Sequence, residues 1–398
     1  MPHELPQQLP AGRPLRTAGA YDAMEAAGAR WGNSWGMEVP LYFAPPGFIE
    51  TPTLKRSNAF DIVGEECRKV REGVGLLDIT AFSRYEVTGP GARAWLDRLL
   101  ACPLPGPGRA RLAPMLGENG KLKGDLTVFN WGDGSWWIMG SYYLRQWHMR
   151  WFESHLQPGV AVRDISDAVV GFSLAGPNAR KVLERVTHQD VSHAALGFLA
   201  CTTVDVGLIR ARVGRLSVIG ELGYEIHCQA NEHATLRRTL LAAGKELGMT
   251  EYGFSAVNAL RLEKSFGIWS REFTQDYTPA EAGMDRWIAF DKGDFVGRQA
   301  ALDQRAAGGG RKLVTLEIDA DGADASGYEP VWNNGKLAGF VTSGGYGHTI
   351  GKSLAMALVD AGAAVEGTQL ATHIVGVERG ARVIAASPYD PGGLKMRA

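Results

Sequence analysis

Hydrophobic and polar positions repeat along this chain at two periods. From Asp61 to Gly75 (DIVGEECRKVREGVG), Val63, Cys67 and Val70 recur at three-to-four spacing and glycine closes the run, which predicts a helix. GARAWLDRLL, opened by a Gly-Pro-Gly turn, is a second helix; ATLRRTLLAAGKELGM and SAVNALRLEKSF are two more. LLDIT and RYEVTG alternate with period two and read as strands. LKGDLTVFNWGDGSWWIMG is the clearest hairpin, two β-rich runs around a Gly-Asp-Gly turn. VVGFSLAGPNARKVLERV reads strand, turn, helix, and LIRARVGRLSVIGELGYEIHC reads as strands joined by tight turns. Earlier in the chain, RWGNSWGMEVPLYFAPPG has Gly and Pro at both ends. It reads as irregular chain packed onto a domain by its Trp and Tyr side chains. The first ~17 residues are Pro-rich and polar and are expected to fray.

Strands and helices thus mix without strict βαβ alternation, which favours an α+β class for the first ~300 residues. AALDQRAAGGGRK reads as a linker, and the texture changes after it. KLVTLEI, EPVWNNGKLAGFVTSGGYG, SLAMALV, TQLATHIVG and GARVIAA are short apolar runs between glycine-rich turns, the pattern of a small antiparallel barrel or sandwich. The expected organisation is an N-terminal extension over residues 1–50, an α+β region over 51–305 and a β-barrel domain over 312–392.

Composition narrows the function classes. Of the 398 residues 45% are hydrophobic and 21% charged, which argues against wholesale disorder. Lys and Arg number 42 against 43 Asp and Glu, so the basic excess of a nucleic-acid binder is missing. No run of ~18 apolar residues predicts a membrane span, and the first residues lack the apolar core of a secretory signal, so a cytoplasmic protein is expected. Cys67, Cys102, Cys201 and Cys228 stand far apart without a CxxC and read as buried thiols. GVGLLD and GPGARA miss the dinucleotide fingerprint. SGGYGHTIGKS ends like a phosphate loop, but Tyr346 stands where the first glycine belongs. There is neither HExxH nor GxSxG, and His148 and His155, seven apart, read as structural, so no metal site is expected.

Eight blocks resemble, in order, the aminomethyltransferase family: the glycine cleavage T-protein and the folate domains of dimethylglycine and sarcosine dehydrogenases and of folate-dependent demethylases. They are VREGVGLLDIT, NGKLKGDLTVFN, LAGPNA, GELGYEI, ALRLEKSFGIWSREFTQDYTPAEAGM, FVGRQAL, PVWNNGKLAGFVTSGGYGHTIGKSLAMALV and SPYDP. The SREFTQDYTPAEAGMDRW and TSGGYGHTIGKS wordings lean toward the dehydrogenase-linked branch. The resemblance implies a three-domain cloverleaf around a central hole holding tetrahydrofolate, with two interleaved α+β domains and a C-terminal β-barrel.

A reduced pterin presents an edge of N–H donors, best met by a buried carboxylate; the family's position for it falls on Glu225. In a strand Glu221 and Glu225 share a face, although Gly223 between them is expected to bend the chain. Asp125 opens a strongly apolar strand, where an acid is costly to bury without a task, and the family's catalytic acid falls on it. T-proteins carry two acids there; this chain has Gly124 and Asp125. By resemblance Phe82, Leu112, Trp137 and Trp287 wall the pterin, Ser141 stands where T-proteins place an Asn, and Tyr389 meets the folate tail. The tail-binding Arg of T-proteins falls on Val257, so Arg261 is a further candidate contact.

For the reaction, the resemblance implies a tetrahydrofolate-dependent demethylase or methyltransferase acting on a small methylated donor, an onium, N-methyl or O-methyl compound. The dehydrogenase-branch wording and the lack of a flavin domain in the chain favour that reading. The alternatives are an aminomethyltransferase served by a lipoyl carrier protein, a folate subunit of a separate flavoprotein oxidase, and a non-enzymatic folate-binding regulator. An onium donor calls for aromatic faces, and Trp269, Tyr277 and Tyr346 are the candidates.

Overall fold

A computed structural model describes residues 12–398; most of the segment expected to fray lies outside them. In chain order the elements are α1 (Tyr21–Ala26), β1 (Ala29–Ser34), β2 (Met37–Phe43), α2 (Phe60–Glu72), β3 (Gly75–Asp78), β4 (Phe82–Thr88), α3 (Ala92–Leu99), β5 (Arg109–Leu116), β6 (Leu122–Asn130) and β7 (Trp136–Ser141). There follow α4 (Arg145–Ser154), β8 (Ala161–Asp164), β9 (Val169–Ala175), α5 (Ala179–Glu184), β10 (Cys201–Val206), β11 (Ile209–Gly214), β12 (Gly223–Gln229), α6 (His233–Gly244), β13 (Thr250–Glu251), α7 (Phe254–Leu262) and α8 (Arg298–Ala307). The C-terminal part holds β14 (Arg311–Ile318), β15 (Pro330–Asn333), β16 (Lys336–Gly347), β17 (Lys352–Asp360), β18 (Gln369–Ile374), β19 (Val377–Ile384) and α9 (Leu394–Arg397).

The strands make two interior sheets and a barrel. One sheet has the order β5-β6-β7-β4-β8, the other β10-β11-β12-β9-β3-β13, and β14-β17-β16-β15-β18-β19 close on themselves. This is an α+β fold with a terminal barrel, as the texture of the sequence predicts. Strand period explains how the first sheet is shared between two cores. Leu126 and Val128 of β6 bury one face against Trp95, Leu96 and Phe152, while Phe129 turns the other face toward Trp137 and Met139.

Three readings need correction. RWGNSWGMEVPLYF is not irregular: β1 and β2 pair antiparallel around Trp35 and Gly36, both at positive φ (52° and 90°). A bulge between Arg30 and Trp31 interrupts the alternation, and the turn lacks Asn-Gly, so neither usual hairpin signal is present. The expected linker is mostly α8, leaving Gly308 to Gly310 as the connection. β11 and β12 are joined by the loop 215–222 instead of a tight turn.

The discarded motifs have structural explanations. SGGYGHTIGKS forms the turn from β16 to β17, where Glu263 accepts the backbone N–H groups of Thr349 and Ile350. His148 is buried among Tyr85, Trp147 and Phe152, and its Nε2–H donates to the Lys123 carbonyl (3.0 Å). All four cysteines are free and buried. Among the described residues no group of His, Cys, Asp and Glu could hold a metal, and no helix is long and apolar enough to cross a membrane.

Barrel closure demands close approach at Gly339. A Cβ there would overlap the Leu358 carbonyl oxygen and stand 2.8 Å from Val359 Cα, both backbone atoms of the paired strand. Gly339→Ala is expected to destabilise the chain by about 2 kcal/mol or more, read as a lower urea midpoint. An unchanged midpoint would mean that β16 can shift without cost.

Candidate active site

The inner face of the first sheet is built in rows. Pro114 pairs with Asp125, Leu112 with Thr127 and Ala110 with Phe129. Thr127 continues to Met139 and Phe129 to Trp137; across β7 and β4, Ser141 meets Phe82 and Met139 meets Arg84. Two residues beyond the Thr127–Met139 pair, the same register sets Ser141 across from Asp125. Phe82, Leu112, Asp125, Thr127 and Ser141 are all only half-buried. These side chains thus share one inward-turned sheet face, bordered by apolar residues and still partly accessible.

Asp125 is the polar centre of that face. It is half-buried by exposure yet strongly desolvated, which pushes its carboxyl up to about 7; hydrogen bonding to its own backbone amide opposes this only weakly. The two observations agree if what reaches the side chain is a narrow space between apolar walls. A side chain at Gly124 would not share the Asp125 face. A Cβ there would lie 3.1 Å from His148 Nε2 and 3.1 Å from Leu126 Cγ, on the core side of the sheet, away from Asp125.

The second sheet faces these rows through β12. Glu225 lies between Gly214 of β11 and Ser173 of β9, and His227, two residues on, shares its face. His227 stands edge-on to Trp137 (5.7 Å) and Phe129 (6.3 Å), so the Glu225 face of one sheet meets the Trp137 face of the other. Arg212 lies over the Trp137 and Trp131 rings at 4.7 and 4.9 Å and closes the far side. Among the described residues, buried Glu225 Oε2 and the buried Trp137 indole N–H have no hydrogen-bond partners. Buried polar groups are rarely left so. An unmatched acceptor, an unmatched donor and flat aromatic walls suit the donor-rich edge and flat ring of a reduced pterin, so the residues present fit tetrahydrofolate.

The remaining candidates fall in several places. Leu112 and Trp287 pack in one apolar cluster, with Trp269 as a buried member of it. Arg286 covers the Trp287 ring at 3.8 Å. Tyr277 gives its carbonyl to the Leu122 amide at the start of β6. Tyr346 lies elsewhere, in a cavity of about 250 Å³ shared with Tyr42, Phe60, His348 and Asp324, and the Arg56 guanidinium sits 4.3 Å above its ring. Tyr389 donates its hydroxyl to Glu221 (2.6 Å) beneath the Arg71 guanidinium (3.9 Å). Glu221 does not share the Glu225 face: it precedes β12 and pairs with Arg71. Arg261 is fully buried, bonded to Asn258, the Phe266 carbonyl and Glu272 (3.1 Å), which ties α7 to Thr342 and Ser343 of the barrel. The structure thus brings Phe82, Leu112, Asp125, Trp137 and Ser141 to one face and sets Glu225 opposite, while Tyr389, Arg261 and Tyr346 serve other neighbourhoods.

Sequence reasoning missed Thr127, Met139, Arg84 and His227. Thr127 and His227 each stand two residues beyond a chosen acid in a strand, so period two carried the signal. Arg84, buried among the described residues, had none: its type normally marks a surface.

Comparison with known proteins places this arrangement. Residues 20–292 match the GCVT N-terminal domain, and residues 311–390 match the glycine cleavage T-protein C-terminal barrel domain. Mitochondrial dimethylglycine dehydrogenase of Mus musculus is 33% identical over 381 residues, 94% of this chain and 44% of that protein. The human protein of the same name is 34% identical over 373 residues, 92% of this chain and 43% of the relative. The chain therefore spans less than half the length of these relatives. The aminomethyltransferase of Moorella thermoacetica is 33% identical over 328 residues, 82% of this chain and 89% of the relative. The crystal structure of glycine cleavage system aminomethyltransferase T from Bartonella henselae shares the fold, with a TM-score of 0.83 at 24% identity over 95% of this chain and 99% of that one. The chain belongs to the glycine cleavage T-protein family.

Proposed function

We propose that this chain moves a one-carbon group from a small methylated metabolite to tetrahydrofolate. The observation that carries the reading is the desolvated carboxyl of Asp125 on an apolar sheet face opposite the unmatched Glu225 oxygen. Glu225 would accept the N–H edge of the pterin, Trp137 and Phe82 would flank its ring, and Leu112 with Trp287 would close the outer side. When bound, tetrahydrofolate supplies the nucleophilic nitrogen that receives the carbon.

The chain's own part is to position, exclude water and handle one proton. Asp125, with its carboxyl near 7, can take a proton at its carboxylate oxygen or return it at neutral pH. As a carboxylate it also favours positive charge on the incoming carbon. Similarity to dimethylglycine dehydrogenases supports an N-methyl or onium donor.

A second reading is aminomethyl transfer from a lipoyl carrier protein, favoured by the match over 89% of the Moorella aminomethyltransferase. A separate flavoprotein oxidase that prepares the carbon unit is a further possible partner. The test is a panel of methylated amines, sulfonium acids and aryl methyl ethers incubated with tetrahydrofolate and followed by mass. Demethylation without any carrier is the expected result, and turnover only with a lipoyl protein would favour the second reading. In the same assays Glu225→Ala is expected to weaken tetrahydrofolate binding by about 2 kcal/mol, since pterin donors would lose a buried charged acceptor. Unchanged affinity by calorimetry would mean that another group is the anchor.

A further inference from the structure

Arg84 and His227 stand behind the Glu225 anchor. Arg84 is wholly buried, and its Nη groups donate to the carbonyls of Ile79 (2.8 Å) and Phe82 (3.0 Å), which fixes the guanidinium at the start of β4. Its Nε–H points to His227 Nδ1 at 3.4 Å. Arginine has no acceptor, so His227 Nδ1 must be the unprotonated nitrogen and the ring proton must sit on Nε2. Nε2 lies 3.6 Å from Glu225 Oε2, and among the described residues each of these buried atoms lacks any other partner. The ring cannot swing away, because Trp137 and Phe129 hold it edge-on. Burial keeps the imidazole below its ordinary pKa, with the nearby Glu225 opposing and Arg84 assisting, so it stays neutral.

We propose that His227 is a positioning residue for the folate anchor: Arg84 locks it as the Nε2–H tautomer, and that N–H fixes the orientation of the Glu225 carboxylate so that it is presented to the pterin edge. This rests on the function proposed above. At 3.6 Å the His227–Glu225 contact is longer than a hydrogen bond, and closing it when a ligand draws the carboxylate into register is the step that the relay prepares. Glutamate alone can adopt several rotamers; a fixed donor behind it removes that freedom before the ligand arrives.

Two substitutions separate the ring's nitrogens. His227→Gln can place an N–H where Nε2 stood, while His227→Asn can keep an acceptor for Arg84 but cannot reach Glu225. Equilibrium binding of tetrahydrofolate is expected to weaken about tenfold or more in His227→Asn and to stay within about threefold in His227→Gln, with similar melting temperatures for the two. Nitrogen-15 NMR of the histidine-labelled wild type is expected to show His227 as the neutral Nε2–H tautomer without ligand. A Nδ1–H tautomer or an imidazolium at neutral pH overturns the proposal, as does equal binding by folded His227→Asn and wild type. Wild type that binds no tetrahydrofolate overturns the proposed function, and this role of His227 with it.

Discussion

Asp125→Asn is expected to lower turnover by about two to four orders of magnitude while leaving tetrahydrofolate binding within a few-fold. The amide keeps the shape of the side chain on its sheet face but can neither take up a proton nor carry negative charge. The same substitution is expected to make the chain more stable. Desolvation pushes the folded Asp125 carboxyl from 3.8 to about 7. Below the lower value both folded and unfolded chains hold the proton, and stability is unaffected. As pH rises from about 4 to about 7 the unfolded chain releases its proton first, so the wild type loses stability across that window. Asparagine has no such loss. Because the group is half-buried, the gain is discounted to the order of 1–3 kcal/mol at neutral pH. Urea unfolding at pH 4 and pH 8 reads it directly: the two proteins should nearly coincide at the lower pH and separate at the higher. A variant that retains full activity, or that is no more stable at pH 8, would show that this carboxyl is neither the catalytic group nor strained by its surroundings.

This trade of stability for chemistry is also why Asp125 could be picked out of the sequence. An acid within LKGDLTVF contradicts the apolar run around it, and local contradictions of that kind concentrate at functional positions. The barrel strands and most strands of the two sheets were legible for the opposite reason, since their alternation agrees with burial, while β5, β8, β10 and β13 were not read. The β1–β2 hairpin was not, because Trp35 at positive φ gives no turn signal and the bulge after Arg30 breaks the period. Glu225 was singled out through resemblance, but His227 beside it was hidden by type, a histidine in a strand being commonplace. Arg84 and Arg71 were hidden by type as well: only the folded chain shows that they are interior. Arg261 and Tyr389 show the limit of carrying roles over from a family, since their polar atoms here hold elements together.

Arg71→Met is expected to cost about 3–5 kcal/mol of stability, the largest such effect of any substitution considered. Arg71 closes α2 on three other parts of the chain. It meets Glu221 (3.0 Å) in the loop before β12 and Glu263 (2.9 Å) at the end of α7. It also donates to the carbonyl of Ile219 (2.8 Å), and its face covers Tyr389 of the C-terminal segment. Glu263 in turn accepts Thr349 from the barrel turn. Arg71, Glu221 and Glu263 are all buried, so methionine would leave two carboxylates out of water without a cation. Replacing those acids as well, in Arg71→Met/Glu221→Gln/Glu263→Gln, should recover part of the loss, because the penalty comes from uncompensated charge more than from the missing attraction. The function should suffer too. Glu221 and Glu225 flank Gly223, and the loop that Arg71 clamps sets where β12 begins and therefore where the anchor carboxylate points. Urea unfolding of the single and triple variants, with tetrahydrofolate binding measured on both, checks the two claims together. If the single variant keeps the wild-type midpoint, the ion cluster is not what joins the barrel to the sheets. If it is destabilised but binds tetrahydrofolate as tightly as before, the position of Glu225 is set from elsewhere.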